Sequence, residues 1–218
     1  MLRLFLVVGL ILILNDLAGQ VFWSEDFGTG PGCETLLVGD YSSPNGDWTV
    51  VETGLNTDDN NVWYVSPAEA GMGEGNCGDG CTPADPTLEN NTLHISNGTV
   101  GDIGAAYAET GFNLTDSDLR AESPTIDCSN RTDISMDFLY LTAGDPPNDI
   151  CIAQYFDGVD WLDLGVLAPT PVGCPGGQGE WTANSFALPA SADLNPNVKI
   201  GFRWVNVDDG EAADPSVA

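Results

Sequence analysis

The chain contains very few basic residues: 5 lysines and arginines stand against 33 aspartates and glutamates, which gives a formal net charge of −28. Nucleic-acid binding needs Lys and Arg side chains to neutralise phosphates, and docking on an anionic membrane surface needs them too. We therefore expect neither function. Two interpretations of the acidity remain: solubility in an extracellular or salty medium, and binding of Ca²⁺, which prefers carboxylate oxygens.

Histidine and the common catalytic motifs are equally scarce. His94 is the single histidine, so the H-E-x-x-H pattern of metalloproteases cannot be formed. The G-x-S-x-G pattern of serine hydrolases is absent. Asp133 and Asp137 share the solvent side of a predicted strand. The cluster of acids that alternate along one strand in jelly-roll glycosidases is not found in the sequence. The sequence thus predicts a protein that is not an enzyme.

Long apolar runs are rare as well, and the longest lies at the N terminus. Arg3 precedes an apolar stretch, Leu4–Leu14, that is too short for a stop-transfer helix. Small residues follow, so we assign residues 1–19 to a secretory signal peptide, with an uncleaved membrane anchor as the alternative. The mature module, residues 20–218, is then not membrane-spanning and is secreted or held at the cell surface.

All 6 cysteines lie in the predicted mature chain. In an exported protein an even number favours disulfides over metal-binding or catalytic thiols. Cys77 and Cys81 flank a Gly-rich turn, and Cys151 and Cys174 bracket a predicted hairpin. The expected pairs are Cys77–Cys81, Cys151–Cys174 and Cys33–Cys128. A zinc site at Cys77 and Cys81 is the alternative, although no C-x-x-C motif or histidine pair accompanies these two cysteines.

No segment carries a sustained helical period, whereas short alternating segments are frequent. In the clearest one, apolar residues alternate along 198–204. Asp157-Gly158, between two apolar segments, predicts a β-hairpin with a type I′ turn. Strands are predicted at 20–27, 47–53, 62–65, 92–96, 105–109, 119–126, 133–141, 150–156 and 159–164, with two more within 179–210. About ten or eleven short strands indicate one all-β sandwich domain.

The order of several motifs resembles a known kind of module. The motifs are S-E-D-F, G-D-W-T-V, T-L-H-I-S-N, I-S-M-D-F-L-Y, Y-F-D-G-V-D-W-L-D-L and N-P-N-V-K-I-G-F-R-W-V-N-V-D-D-G. This series resembles the N-terminal modules of large secreted surface proteins of Bacteroidetes, of the gliding-motility and type IX secretion kind. Its second half is similar to MAM-type and concanavalin-like jelly rolls.

The resemblance implies a two-sheet antiparallel jelly-roll β-sandwich that works in cell adhesion or in binding an extracellular glycan or protein. It also implies a last strand and further domains of the same polypeptide after Ala218, so we expect a fragment whose last strand is missing. A sheet edge near the strand at 198–207 would then lack its partner, or the first strand, Val21–Phe27, would be poorly covered. Two other functions stay open: an accessory substrate-binding domain of a longer secreted protease or glycosidase, and a structural spacer.

A structural Ca²⁺ site between the first and last strands is also implied by the resemblance. Its ligands would come from Glu25 or Asp26 and from Asp208 and Asp209. Because adjacent side chains of a strand point to opposite faces, only one of Glu25 and Asp26 is expected to be a ligand. A solvated acidic loop is the alternative.

Aromatic and basic side chains are the candidate ligand contacts. Jelly rolls that bind sugars stack them on exposed aromatic rings, so Trp63, Tyr64 and Trp161 are candidates, with packing in the core as the alternative. Lys199 and Arg203 share one face of a predicted strand. They are expected either to bind an anionic glycan or to pair with neighbouring carboxylates.

Overall fold

The computed structural model describes residues 19–31, 36–57, 61–66, 88–96, 116–142, 146–174 and 178–207. Within these ranges the chain forms antiparallel β-sheets and no α-helix, as the alternating patterns predict. The strands are β1 (Thr29–Pro31), β2 (Leu36–Leu37), β3 (Ser42–Ser43), β4 (Gly46–Asp47), β5 (Thr49–Glu52), β6 (Val62–Ser66), β7 (Leu88–Asn90), β8 (Thr92–Ser96), β9 (Ser117–Glu122), β10 (Ser135–Tyr140), β11 (Ile150–Phe156), β12 (Trp161–Val166), β13 (Val172–Cys174), β14 (Gln178–Gly179), β15 (Thr182–Ala187) and β16 (Lys199–Asn206).

Some predicted features fall outside the described residues. They are residues 1–18 of the signal peptide, the strand at 105–109, and Cys33, Cys77, Cys81, Asp208 and Asp209. The signal peptide, the Cys77–Cys81 pair and the two aspartate ligands therefore stay predictions. Among the described residues, no helix is long and apolar enough to cross a bilayer.

The largest sheet has five strands in the order β12-β11-β16-β9-β5. Its central strand, β16, pairs with β11 on one side and with β9 on the other. The expectation that the edge beside this strand lacks its partner is therefore wrong, whereas Val21, in the alternative expectation, is 78% exposed. The apolar alternation along β16 is consistent with its central position. Its large inward side chains are best covered when a paired strand lies on each side of it.

Opposite the five-stranded sheet lies a second layer, made of the pair β10–β15 and the three strands β2-β6-β8. One apolar cluster joins the layers and includes Trp204 and Leu119 of the large sheet, Trp63 and Ile95 of the three-stranded sheet, and Met136 of β10. Burying each large apolar side chain contributes about 2 kcal/mol. Inward residues alternate with outward ones along each strand, and this alternation determines which side chains reach the outer surface.

Two local predictions differ from the structure. Residues 20–27 form no strand; Phe27 has a φ of 54°, which ends the extended segment. The hairpin at β11–β12 is present, but Phe156 pairs with Trp161, so the loop has four residues rather than the two of a type I′ turn. The side chain of Asp157 accepts hydrogen bonds from the backbone N–H groups of Val159 and Asp160, both at 2.8 Å, and this stabilises the wider loop.

Two of the three predicted disulfides are also wrong. Cys128 and Cys151 are free thiols, so neither the Cys33–Cys128 nor the Cys151–Cys174 disulfide is formed. Cys174 is disulfide-bonded, and its partner is neither of these two. The reason is the direction of the strands: Cys151 points from β11 into the core beside Trp204, whereas Cys174 ends a separate two-stranded sheet. Burial raises the pKa of both free thiols.

Candidate functional site

The outer side of the five-stranded sheet carries an unusual set of side chains for so acidic a chain. Because Trp204 points into the core, the residues that alternate with it along β16 point outward. We call this surface the polar face. It is defined by Asp118, Arg120, Glu122, Gln154, Trp161, Asp163, Lys199, Gly201 and Arg203. It holds three of the chain's five basic residues.

Arg120 is the centre of a hydrogen-bond network that crosses four strands. Its Nε and Nη2 atoms donate to Oε1 of Glu122 at 3.0 and 2.8 Å, and its Nη1 donates to Oε1 of Gln154 at 3.2 Å. Gln154 Nε2 donates to Oδ1 of Asp163 at 2.6 Å, and Lys199 Nζ donates to Oε2 of Glu122 at 3.3 Å. Arg120 is 9% exposed, and a charge this deeply buried needs such partners.

Trp161 covers this network. The guanidinium carbon of Arg120 lies 4.0 Å from the centroid of the indole ring, a cation–π stacking distance. The guanidinium is buried and the indole is half-buried, so part of the indole stays accessible while the ring rests on Arg120. Phe156 supports the indole on the same face, with ring centroids 5.5 Å apart.

The position of the indole depends on Gly201. A Cβ atom at this position would lie 2.7 Å from Cζ3 of Trp161 and 3.0 Å from Cδ of Arg120. A glycine on the outward side of the central strand therefore provides the space in which the two side chains stack. Any larger residue would force the indole or the guanidinium to move.

Arg203 and Asp118 form a second group on the polar face. Arg203 donates from Nε and Nη2 to the two carboxylate oxygens of Asp118 at 2.7 and 2.6 Å, and Thr53 Oγ1 also donates to Asp118. Burial alone would raise the pKa of Asp118. The hydrogen bonds from Arg203 and Thr53 and the charges of Arg203 and Arg120 outweigh that effect and lower the pKa below its ordinary value.

Lys199 and Arg203 thus pair with carboxylates, which is one of the two outcomes that the sequence left open. Among the described residues, the polar face carries three cations and three carboxylates, and it is locally neutral on a chain with a net charge of −28. The three cations are Arg120, Lys199 and Arg203, and the three carboxylates are Asp118, Glu122 and Asp163. The positive charges are already satisfied within the protein.

Trp63 and Tyr64 do not lie on the polar face. Trp63 is 2% exposed and donates from Nε1 to the backbone oxygen of Leu119 at 3.2 Å inside the core. Tyr64 is 9% exposed and stacks on His94. As platforms for a ligand these two predictions are wrong, because both rings are covered by the protein. Of the three candidate aromatics, Trp161 alone joins Lys199 and Arg203.

Glu25 and Asp26 occupy different environments, although the segment that carries them is not a strand. Glu25 Oε1 accepts from the backbone N–H of Phe27 at 3.0 Å and from the hydroxyl of Tyr41 at 3.1 Å. Its Oε2 accepts from Ser43 Oγ and, at 3.3 Å, from Trp48 Nε1. Burial, followed by the Glu25 carboxylate, raises the pKa of Tyr41. Glu25 therefore anchors the segment before β1 to Tyr41, to Ser43 of β3 and to Trp48 before β5.

Asp26 is exposed, and its Oδ1 accepts a hydrogen bond from the backbone N–H of Gly28 at 2.9 Å. Within the described ranges, no three His, Cys, Asp or Glu side chains are grouped so that they could hold a metal ion. Asp208 and Asp209 lie outside those ranges, so the Ca²⁺ site stays a prediction.

Most residues of the polar face were not predicted from the sequence. The available signal was the scarcity of positive charge: Arg120 alternates with Leu119 and Ala121 in a strand pattern, so it had to face the same side as two acids. Gly201 gave a second signal, since glycine inside a strand often marks a close approach of another group. The distance between β9 and β12 in the sequence concealed that both contribute to one surface.

Comparisons of the chain with protein-family models, with curated proteins and with solved structures found no match. The polar face is therefore the feature of the chain that bears on its function. That face combines a half-buried aromatic ring with a rigid network of hydrogen-bonding groups.

Proposed function

We propose that this chain is a non-catalytic, secreted or cell-surface jelly-roll module for adhesion or ligand binding, and that the polar face is its ligand-binding face. The observation that carries the proposal is the indole of Trp161, which lies on the buried Arg120 and stays partly exposed. Aromatic rings held in this way provide large contact area at low cost in conformational entropy.

The network beneath the ring supports the same proposal. Arg120 and Gln154 are both buried and bound to neighbours from three strands, so the ring is held before any ligand arrives. A preorganised surface loses less entropy on binding than a mobile one. The antiparallel two-layer fold is compatible with the jelly roll that the motif order implies.

A binding screen on the purified mature chain tests the proposal. The chain is applied to arrays of extracellular glycans and extracellular proteins, together with Trp161→Ala and Trp181→Ala variants. Trp181 directly precedes β15 in the opposite layer and serves as the matched control. Retained ligands should be lost with Trp161→Ala and kept with Trp181→Ala. Ligands that bind the Trp161 variant as well as the unchanged chain would contradict the proposed face.

A further inference from the structure

We infer that the ligand of the polar face is an uncharged saccharide, whose sugar ring stacks on the indole of Trp161. This inference rests on the proposed function and names the class of ligand. Three properties of the polar face carry it: the balance of its charges, the placement of the indole, and the polar groups that flank the ring.

The charge balance disfavours an anionic ligand. Arg203 is bound at both of its donating nitrogens to Asp118, at 2.7 and 2.6 Å, and Lys199 is 3.3 Å from Glu122. A sulfate or carboxylate would compete with these carboxylates for the two cations, and displacing them would leave buried carboxylates unpaired. It would also approach a chain with a net charge of −28, which repels anions at long range.

A cationic ligand finds no free carboxylate among the buried groups of this face. Glu122 and Asp118 are already occupied by Arg120, Lys199 and Arg203. Asp163 is exposed, but its Oδ1 already accepts from Gln154, and its charge acts on Arg203. The surface is thus suited to a ligand without net charge.

The indole offers an apolar plane of the size of a sugar ring. Its inner face is filled by the guanidinium of Arg120, and its edge reaches over Gly201 on the central strand. The apolar side of a pyranose packs on such a plane, and the cation on the opposite ring face holds the indole flat.

Polar groups lie beside the plane where sugar hydroxyls would project. Asp163 is exposed at one side of the face and offers carboxylate acceptors, and Lys199 is half-buried and offers an ammonium donor. Both side chains are restrained by their hydrogen bonds to Gln154 and Glu122. Hydroxyl groups both donate and accept, so an uncharged sugar satisfies the two groups together.

Calorimetric titration of the purified mature chain with defined oligosaccharides tests the inference. The neutral probes are cellohexaose, mannohexaose and xylohexaose, and the anionic probes are hexagalacturonate and a heparin hexasaccharide. At least one neutral probe should bind, with an affinity that does not change with salt concentration. Trp161→Ala should weaken that binding by at least about tenfold, and Trp181→Ala should leave it unchanged.

Gly201→Ala provides a second variant that keeps the indole but moves it. It should weaken binding of the same neutral probe while circular dichroism shows the native sheet. Binding of anionic probes alone, weakened by salt and unchanged in Trp161→Ala, would overturn the inference. So would the absence of binding to all oligosaccharides. In both cases the proposed binding function is judged separately, by whether the protein and glycan arrays yield ligands that depend on Trp161.

Discussion

Tyr64 and His94 stack on each other with ring centroids 5.8 Å apart and an angle of 28° between the ring planes. They are directly paired residues of β6 and β8, on the side of the three-stranded sheet that faces away from the main core. His94 is nevertheless fully buried. The single histidine of the chain is therefore held neutral inside the protein.

Acid should destabilise the protein through His94. Burial lowers its pKa from 6.5 to about 4, and the backbone of Thr92 offsets this only in part. Because the folded pKa lies below the unfolded one, the neutral ring favours folding above pH 6.5, and this contribution falls as the pH drops from 6.5 through 4. The full effect is about 3 kcal/mol.

Urea unfolding between pH 4 and 7.5 measures this effect in the unchanged chain and in His94→Phe, which keeps an aromatic ring beside Tyr64. The variant should lose less stability over this range than the unchanged chain. Equal pH dependence in the two proteins would show that His94 does not titrate in the predicted way.

Gly201→Ala should destabilise the sheet by about 1–3 kcal/mol, because its Cβ would press on Trp161 and Arg120. Thermal denaturation measures the loss. Gly39→Ala is the matched control, since a Cβ atom there would meet nothing within 4 Å. In the double variant Gly201→Ala with Trp161→Ala, part of the loss should be recovered because the indole is no longer displaced. Strict additivity would argue against a direct clash.

Asp118→Asn should destabilise the protein at pH 7 by about 1–3 kcal/mol, because it leaves the half-buried Arg203 without its carboxylate. The pKa of Asp118 is lowered by folding, so the stabilisation is present above its ordinary value of 3.8 and is lost as the pH falls through the folded value. Chemical denaturation at pH 7 and near pH 3 should show the difference shrinking in acid. Asp47→Asn, at an exposed position, should have little effect at either pH.

Glu25→Gln should cost about 1–3 kcal/mol, because the new amide group meets the donors of Tyr41, Ser43 and Trp48. Asp26→Asn, at an exposed position with one local hydrogen bond to the backbone, is the control.

Repeating the thermal melts with CaCl₂ and with EDTA also tests the predicted Ca²⁺ site. If Glu25 binds the ion, Ca²⁺ should raise the Tm of the unchanged chain and have little effect on Glu25→Gln.

Cys128 and Cys151 should resist alkylation in the folded protein, because both are buried and burial raises their thiol pKa values. Iodoacetamide and peptide mass spectrometry measure this. Both cysteines should be labelled in guanidinium without reductant, whereas Cys174 should require reduction first. A cross-linked peptide that joins Cys151 to Cys174 would contradict the structure.

Strand positions could be predicted from the sequence because alternation is a local property. Val62–Ser66, Thr92–Ser96 and Ile150–Phe156 match their predicted segments within one residue. Pairing could not be predicted, because the partners of Lys199–Asn206 are chosen by contacts between distant parts of the chain. The same limit explains the wrong disulfides: spacing places Cys151 near a hairpin but does not state that it points inward.

The aromatic candidates illustrate what local sequence can decide. Trp63 stands in V-W-Y-V, among apolar neighbours, and Trp161 stands in V-D-W-L-D-L, between aspartates. The apolar context corresponds to the buried ring and the acidic context to the half-buried one. That Trp161 would rest on Arg120 could not be foreseen, because three strand pairings separate their positions in the sheet.

The central place of β16 has a consequence for how the protein folds. The β11–β12 hairpin and the β5–β9 pair each form one flank of the large sheet, and β16 alone links them by backbone pairing. Cys151 of β11 pairs with Trp204 of β16, and Arg120 of β9 pairs with Arg203 of β16. The sheet can therefore be completed only after β16, a late segment of the chain, has been synthesised. Such non-local pairing slows folding. Until Lys199–Asn206 emerged, a nascent chain would lack the strand with which both flanks pair.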